Sequence, residues 1–438
     1  MKYMSSVRWL LVIMIVLGLA GRAVTGTAVY TRLAYVGLLL FLGGYVWSLI
    51  SLRGIRLHRD ARLSRASMGE VFEEHFEISG AAWPGCTWLE VVNHSTLPMV
   101  AGSRLLTGIG ARQKRFYSAR TLLTRRGAFP LGPTTLTSGD PFGLFPVHRE
   151  VPISGTLVVL PMTVVIPTFP PPPGILPGGK AIRQKTMDVT PHAAGIREYV
   201  PGDPMKRIHW PSTARRGRFM VKEFEQDPQA DIWLFLDAQR EVQAAQAEGS
   251  HTVTDEGFLL RRPKVTLPCD TFEYAVSATA SLARFFLAEK RAVGLACAAG
   301  HFTVVSAERG ERQVGKILET LAFLQPEGTM PILGLLTMQA KLLPLGSGVV
   351  LITPAVRPEL LIAIEDLQRR NLRPVVVLLK AETFGGVGGT EMVAAGLLKR
   401  NVPVCQIGFG DDLGAGLSLP VVYFQRHYYP KSFFSMRA

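Results

Sequence analysis

The chain has few of the residue patterns that covalent staples and catalysis require. Its four cysteines, Cys86, Cys269, Cys297 and Cys405, lie far apart and form no Cys-x-x-Cys pair. That spacing gives neither a zinc knuckle nor a disulfide framework and reads as reduced, structural thiols. No Walker A loop, His-Glu-x-x-His, nucleophile elbow or Gly-x-Gly-x-x-Gly pattern occurs, and Gly385-Gly386-Val387-Gly388-Gly389 lacks the Gly-Lys-Ser/Thr that phosphate binding needs. It reads as a flexible loop. The nine histidines are scattered, so nothing points to a metal cluster or a Ser-His-Asp arrangement. Acidic residues are in deficit: 34 Asp and Glu against 48 Lys and Arg leave a formal net charge of +14. Such a balance favours anionic partners, either a lipid headgroup surface or nucleic acid. The aromatic-interleaved motifs of nucleic-acid readers are missing, which ranks that partner last.

What is present begins with apolar runs. Leu33 to Ile50 carries no charge, and as a helix it is about 27 Å long, close to the thickness of a bilayer core. The shorter run from Trp9 to Gly21, bounded by Arg8 and Arg22, is either a first span or the core of a cleavable signal ending at Gly18-Leu19-Ala20. Two spans in a hairpin, residues 1–52, is the preferred reading. Arg53, Arg56, Arg59, Arg62 and Arg65 follow directly, against only Arg22 and Arg32 in the connecting segment, so the positive-inside bias places the body in the cytoplasm. The same arginines are expected to attract anionic lipid.

With 438 residues the chain is long enough for two or three domains. Residues 53–166 alternate short apolar runs such as Thr87 to Val92 with turn formers such as Asn93-His94-Ser95 and Ser138-Gly139-Asp140-Pro141, the pattern of an antiparallel β-sandwich-like module. Phe169 to Gly174 and Pro177-Gly178-Gly179 open a Pro/Gly linker and a basic segment over 167–230. Residues 231–410 read as an open α/β sheet. Ile232 to Leu236 is its first buried strand, and Val293 to Cys297 with Phe302 to Val305 form an edge hairpin. Val349 to Thr353, Val375 to Leu379 and Val404 to Ile407 are later parallel strands. Behind Asp270, a cap with Glu273 three residues on, the apolar stripe Phe272, Ala275, Val276, Leu282, Ala283 and Phe286 predicts a helix, with Thr279 bonding a carbonyl one turn back. Residues 411–438 form a tail of mixed aromatic and basic character, read as a last strand plus a docked end.

The segment Gly195-Ile196-Arg197-Glu198-Tyr199-Val200-Pro201-Gly202-Asp203-Pro204, continuing through Arg207-Ile208-His209-Trp210 and Ala214-Arg215-Arg216-Gly217 to Val221-Lys222-Glu223-Phe224, resembles the signature of a bacterial and archaeal membrane-protein family named only as a domain of unknown function. Arg126-Gly127-Ala128-Phe129 and Asp140-Pro141-Phe142-Gly143-Leu144-Phe145 match its β-module landmarks. The resemblance implies a von Willebrand A-like, Rossmann-type domain with helices on both faces. It also implies a cytoplasmic adaptor often encoded beside a MoxR-type AAA+ ATPase, with roles in the cell envelope or in complex assembly. In metal-binding von Willebrand A domains the first strand ends in Asp-x-Ser-x-Ser, which supplies hard oxygen ligands to Mg²⁺. Here it ends in Asp237-Ala238-Gln239-Arg240-Glu241, and the region of Ile352-Thr353-Pro354 lacks the second aspartate. Asp237 with Gln239 or Glu241 is thus a degenerate candidate for Mg²⁺ or Ca²⁺.

Three readings follow, in this order. The first is a non-catalytic membrane-tethered adaptor, with Arg215, Arg216 and Arg218 at a basic tip as the partner-binding residues. Arg197, Glu198, Gly202, Asp203, Arg207 and Trp210 are then structural signature residues, with Arg197 and Arg207 expected to act as a brace. Within that segment Ile208 and Trp210 alternate with polar neighbours as half-buried strand residues do, and Pro201 to Pro204 is a turn. The second reading is a metal-dependent binding module at Asp237, and the third an enzyme or nucleic-acid binder.

Overall fold

The structure, a computed structural model, describes residues 2–61, 63–80, 83, 85–153, 155–169, 193–201, 203, 205, 208–224, 231–246, 266–344 and 346–418. The proline-rich run after Phe169, Gly202, Arg207 and the tail from residue 419 lie outside the described residues. Contacts divide the chain into two units, the first formed by Met1–Pro161 and the second by the described residues from Met162 onward.

The first unit opens with α1 (Lys2–Thr25) and α2 (Ala28–Ser51), both long and apolar enough to cross a membrane by length and composition. They pack on each other through small residues, because a side chain at the contact would hold the backbones apart. A Cβ on Gly18 would come within 3.0 Å of Ala34, and one on Gly37 within 2.7 Å of Met14. The stripe of α2 that includes Ala34 and Gly37 continues through Gly44, Ser48 and Ser51, all buried. Leu39, Leu42, Val46 and Leu49 remain exposed on the outer faces.

Ten strands follow: β1 (Arg56–Ala61), β2 (Arg65–Ser67), β3 (Val71–Ser79), β4 (Cys86–Asn93), β5 (Arg104–Ile109), β6 (Arg115–Leu122), β7 (Gly127–Leu131), β8 (Thr134–Ser138), β9 (Val147–Val151) and β10 (Gly155–Leu160). They form sheets in the orders β1-β3-β6, β2-β10-β7 and β5-β4-β8-β9. Strand β3 alternates as a half-buried strand should, with Phe72, Glu74, Phe76 and Ile78 inward. Phe76 and Ile78 join Leu89, Val91, Tyr117 and Leu136 in a core that also takes in Leu52 and Ile55 from the end of α2. Antiparallel pairing dominates, with one exception: β10 runs parallel to the three-residue β2, because the chain returns to that edge only after traversing the whole module.

Arg59 turns into this core. Its Nε donates to Glu74 Oε1 at 2.7 Å, and its Nη1 donates to Asn93 Oδ1 at 3.1 Å on the facing sheet. Its guanidinium lies 5.2 Å from the Phe76 ring centroid. Arg59 is therefore removed from the basic flank that the sequence pattern assigned to lipid, since a guanidinium 4% exposed cannot reach a headgroup.

In the second unit β11 (Ala193–Glu198) pairs antiparallel with β12 (Met220–Phe224), and α3 (Trp210–Arg216) lies between them in sequence. A six-stranded sheet is then built from β13 (Ile232–Leu236), β14 (Val293–Ala298), β15 (Phe302–Glu308), β16 (Gly348–Thr353), β17 (Arg373–Leu379) and β18 (Val404–Ile407), in the order β15-β14-β13-β16-β17-β18. Only the β14–β15 hairpin is antiparallel. The helices are α4 (Thr271–Ala288), α5 (Glu311–Phe323), α6 (Ile332–Gln339), α7 (Glu359–Arg369), α8 (Thr390–Lys399) and α9 (Leu413–Leu417). Trp233 and Phe235 of β13 pack into a cluster with Leu335 and Leu336 of α6, Ile364 of α7 and Leu397 of α8. Helix α4 lies outside that cluster and packs against β13, β14, β16 and β17, with α5 and α9 beside it. The central strands read as continuous apolar runs because they are buried throughout.

Local signals set α4. Asp270 accepts from Phe272 N at 2.7 Å, and the Thr279 hydroxyl donates to Ala275 O at 2.7 Å, so a polar residue sits in the buried stripe with its donor satisfied. Burial of Phe272 and Phe286 contributes about 1.5–3 kcal/mol each.

Candidate functional site

Two constellations that the sequence singles out can be built from the residues upward. The first lies at the carboxyl end of β13. From this strand the sheet grows to one side through β14 and β15, then to the other through β16, β17 and β18, so the ends of β13 and β16 flank the point where the winding reverses. Open α/β sheets form their ligand crevice at such a point.

Asp237 follows β13 there and is buried, 2% exposed. Its Oδ1 accepts from Gln239 N at 3.0 Å, and its Oδ2 accepts from the Thr353 hydroxyl at 2.6 Å. Thr353 Oγ1 in turn accepts from Ala355 N at 2.9 Å. The loop after Asp237 is clamped by Gly328, whose N–H donates to Ala238 O while its carbonyl accepts from Arg240 N. A Cβ on Gly328 would stand 2.1 Å from Ala298 O, so only glycine allows this approach. Burial pushes the Asp237 carboxyl up to about 6, against the opposing effect of the Thr353 and Gln239 hydrogen bonds and the Arg357 charge.

The other two candidate ligands point elsewhere. Gln239 Nε2 donates to Glu241 Oε2 at 3.1 Å, and Arg357 Nη2 donates to the same oxygen at 3.2 Å. A hard divalent cation takes six or more oxygen ligands. Here one buried carboxylate has both oxygens engaged by protein donors, and the nearest glutamate is already neutralised by an arginine. No group of three or more His, Cys, Asp or Glu suited to a metal occurs among the described residues. The donor set does not fit Mg²⁺ or Ca²⁺. The metal-site pattern calls for an aspartate near Ile352-Thr353-Pro354 and so gives Thr353 no role, although a hydroxyl at the end of a buried strand is itself a signal.

The second constellation is the β11–α3–β12 segment. Arg197 clasps Asp203 through a two-pronged fork, Nη1 to Oδ2 and Nη2 to Oδ1, both at 2.7 Å. Asp203 Oδ2 also accepts from Val200 N at 3.0 Å, and Asp203 N donates to Val200 O, closing the expected turn. This pair is the brace. Glu198 pairs instead with Arg218, and both side chains are more than half exposed. Arg215 and Arg216 occupy the last turn of α3, exposed, before Gly217 at φ 67 ends the helix.

Trp210 departs from expectation. Ile208 is buried and bridges Val221 as a strand residue, but Trp210 begins α3 and is 63% exposed. Pro211, in the first turn of α3, supplies the fixed φ that starts a helix, which overrides the alternation read from Ile208 and Trp210. Phe219 is likewise 51% exposed. The tip therefore presents Trp210, Phe219, Arg215, Arg216 and Arg218 on the surface.

Residues 195–255 match the family described as Protein of unknown function DUF58. The matched residues begin inside β11 and run past Asp237, Gln239 and Glu241, so they take in the second constellation and one side of the first, whereas Gly328 and Thr353 lie beyond them. A relative, the uncharacterized protein YeaD of Bacillus subtilis, is 26% identical over 140 residues, which is 32% of this chain and 28% of that protein. Among solved structures, the CARDB domain of the PF1109 protein of Pyrococcus furiosus, determined in complex with di-metal ions, aligns with 24% of this chain and 87% of its own, at 9% identity and a TM-score of 0.18.

Proposed function

We propose that this chain is a non-catalytic, membrane-tethered adaptor or scaffold. Its helix hairpin spans the membrane, its body lies in the cytoplasm, and its six-stranded sheet is a von Willebrand A-like, Rossmann-type domain that receives a protein partner. The strand order, reversing at β13 and β16, supports that fold reading. One observation carries the functional reading: both carboxylate oxygens of Asp237 at that reversal are engaged by protein donors, whereas the arginine tip is exposed. That contrast favours recognition at a surface. Exposed guanidiniums on a segment that also exposes Trp210 and Phe219 suit an acidic protein face, with the aromatics providing anchors. The family resemblance supports a MoxR-type AAA+ ATPase as that partner, in cell-envelope processes or complex assembly.

Reconstituted full-length protein offered a MoxR-type ATPase from the same genome tests the reading. Arg215→Ala, Arg216→Ala and Arg218→Ala combined should weaken capture at least about tenfold, since a tenfold loss corresponds to about 1.4 kcal/mol. Undiminished capture removes the tip from the interface. A reporter fused after Ala438 should be active only in the cytoplasm, and a signal from the far side overturns the topology.

A further inference from the structure

The landmark loop Asp140–Phe145 packs against α2. Asp140 is fully buried, and its carboxylate accepts from Phe142 N at 3.0 Å and Phe145 N at 2.7 Å, which holds the loop in a tight arch. The Phe145 ring meets Phe41 edge-on at 5.1 Å and Tyr45 at 5.8 Å, and the Arg8 guanidinium of α1 lies 5.5 Å from its centroid. Gly44 faces the arch, where a Cβ would stand 3.5 Å from the Phe145 ring and 3.6 Å from Asp140.

The height of these contacts along α2 is what matters. Val46 and Leu49 are 57% and 50% exposed and lie nearer the carboxyl end of the helix than Phe41 and Tyr45 do. At 1.5 Å per residue, Tyr45 is about 6 Å and Phe41 about 12 Å inside the level of Leu49. With α2 spanning the bilayer and lipid reaching the exposed Leu49, the loop sits beneath that level. The polar interface is about 5–8 Å thick on each side. Arg8 marks the same depth independently, because an arginine at the end of a span lies at the interface. Phe142, in the same loop, is 69% exposed.

We propose that the Asp140–Phe145 loop is a membrane-interface anchor, with Phe142 inserted among the lipids of the bilayer that the helix hairpin crosses. The inference rests on the spanning reading of α1 and α2 and adds a second attachment, contributed by the β module itself. An aromatic ring at headgroup depth beside a basic residue is the composition of an interfacial anchor.

The test uses the full chain in nanodiscs of phosphatidylethanolamine and phosphatidylglycerol, spin-labelled in separate variants at Phe142→Cys, Leu39→Cys and Val71→Cys. The four native cysteines are buried, so labelling is selective and their continued protection confirms folding in each variant. Leu39 is on the outer face of α2, and Val71 lies at the end of β3 remote from Ser79, the partner of Arg56 just after the helix exit. The ratio of oxygen to nickel-chelate accessibility should be several-fold higher at positions 39 and 142 than at 71. A value at 142 equal to that at 71, with 39 reading lipid, overturns the anchor alone. An aqueous reading at 39 overturns the spanning hairpin and the anchor with it.

Discussion

The Thr353 hydroxyl donates to Asp237 Oδ2 at 2.6 Å and ties the ends of β16 and β13 together across 116 residues of sequence. Burial raises the Asp237 carboxyl from its ordinary 3.8 to about 6, so between about pH 4 and 6 the folded state holds a proton that the unfolded state has released. Stability should therefore fall as the pH rises through that window and level off above it, by about 3 kcal/mol for a shift of two units. Asp237→Asn cannot titrate. Thermal unfolding of detergent-solubilised protein across this range should show the slope in the wild type and a flatter curve in the variant; parallel curves sink the assignment. Millimolar Mg²⁺ should leave both melting temperatures unchanged.

The arginines of the β11–α3–β12 segment should separate by cost. Arg197→Ala removes a two-pronged bond to Asp203 and should destabilise by about 2 kcal/mol, a typical loss for hydrogen bonds to a charged partner. The triple alanine variant at Arg215, Arg216 and Arg218 should cost no more than about 1 kcal/mol, because all three side chains are exposed and the ion pair of Arg218 with Glu198 is exposed with them. Melting curves of the two variants side by side decide this, and equal losses would refute the division into brace and tip.

Arg59 and Glu74 should behave as a unit. Glu74→Ala leaves a buried guanidinium without its carboxylate and should cost about 3–5 kcal/mol. The double substitution Arg59→Met with Glu74→Leu should recover most of that loss, since an apolar pair of similar volume needs no solvation. A double variant as unstable as Glu74→Ala would show that the pair contributes net stability.

The thiols should be inert while the chain is folded. Burial pushes Cys297 up to about 12, with the nearby Asp237 charge adding to it, and burial alone does the same for Cys405. Cys86 is raised by burial, although hydrogen bonding to Ser138 and to the Trp88 backbone opposes it. A maleimide reagent at neutral pH should label none of the four cysteines until denaturant is added. Stoichiometric labelling of the native protein would contradict their burial.

The α/β sheet was legible because its signals are local. Strand-length apolar runs, the Asp270 cap and the helical spacing from Phe272 to Phe286 each declare themselves within a few residues. The antiparallel character of the β module was legible too, from alternation and turn formers, apart from the β2–β10 pairing, which no short window encodes. Contacts between distant residues were not. Nothing near Arg59 announces Glu74 as its partner on the neighbouring strand, so it was counted with the basic flank, and nothing near Phe145 announces Phe41. Trp210 was misread although its own neighbours, Pro211 and Gly217, carried the helix start and stop.

The junction between α2 and the β module has no slack. Ser48 and Ser51 are covered while still helical, Leu52 and Ile55 are already core, and Arg149 Nη2 donates to Ile55 O at 2.7 Å from the facing sheet. A tether of this kind has no swivel. A pull or twist applied to the β module passes straight into the hairpin as torque, and the azimuth of the module about the helix axis is fixed by the junction itself.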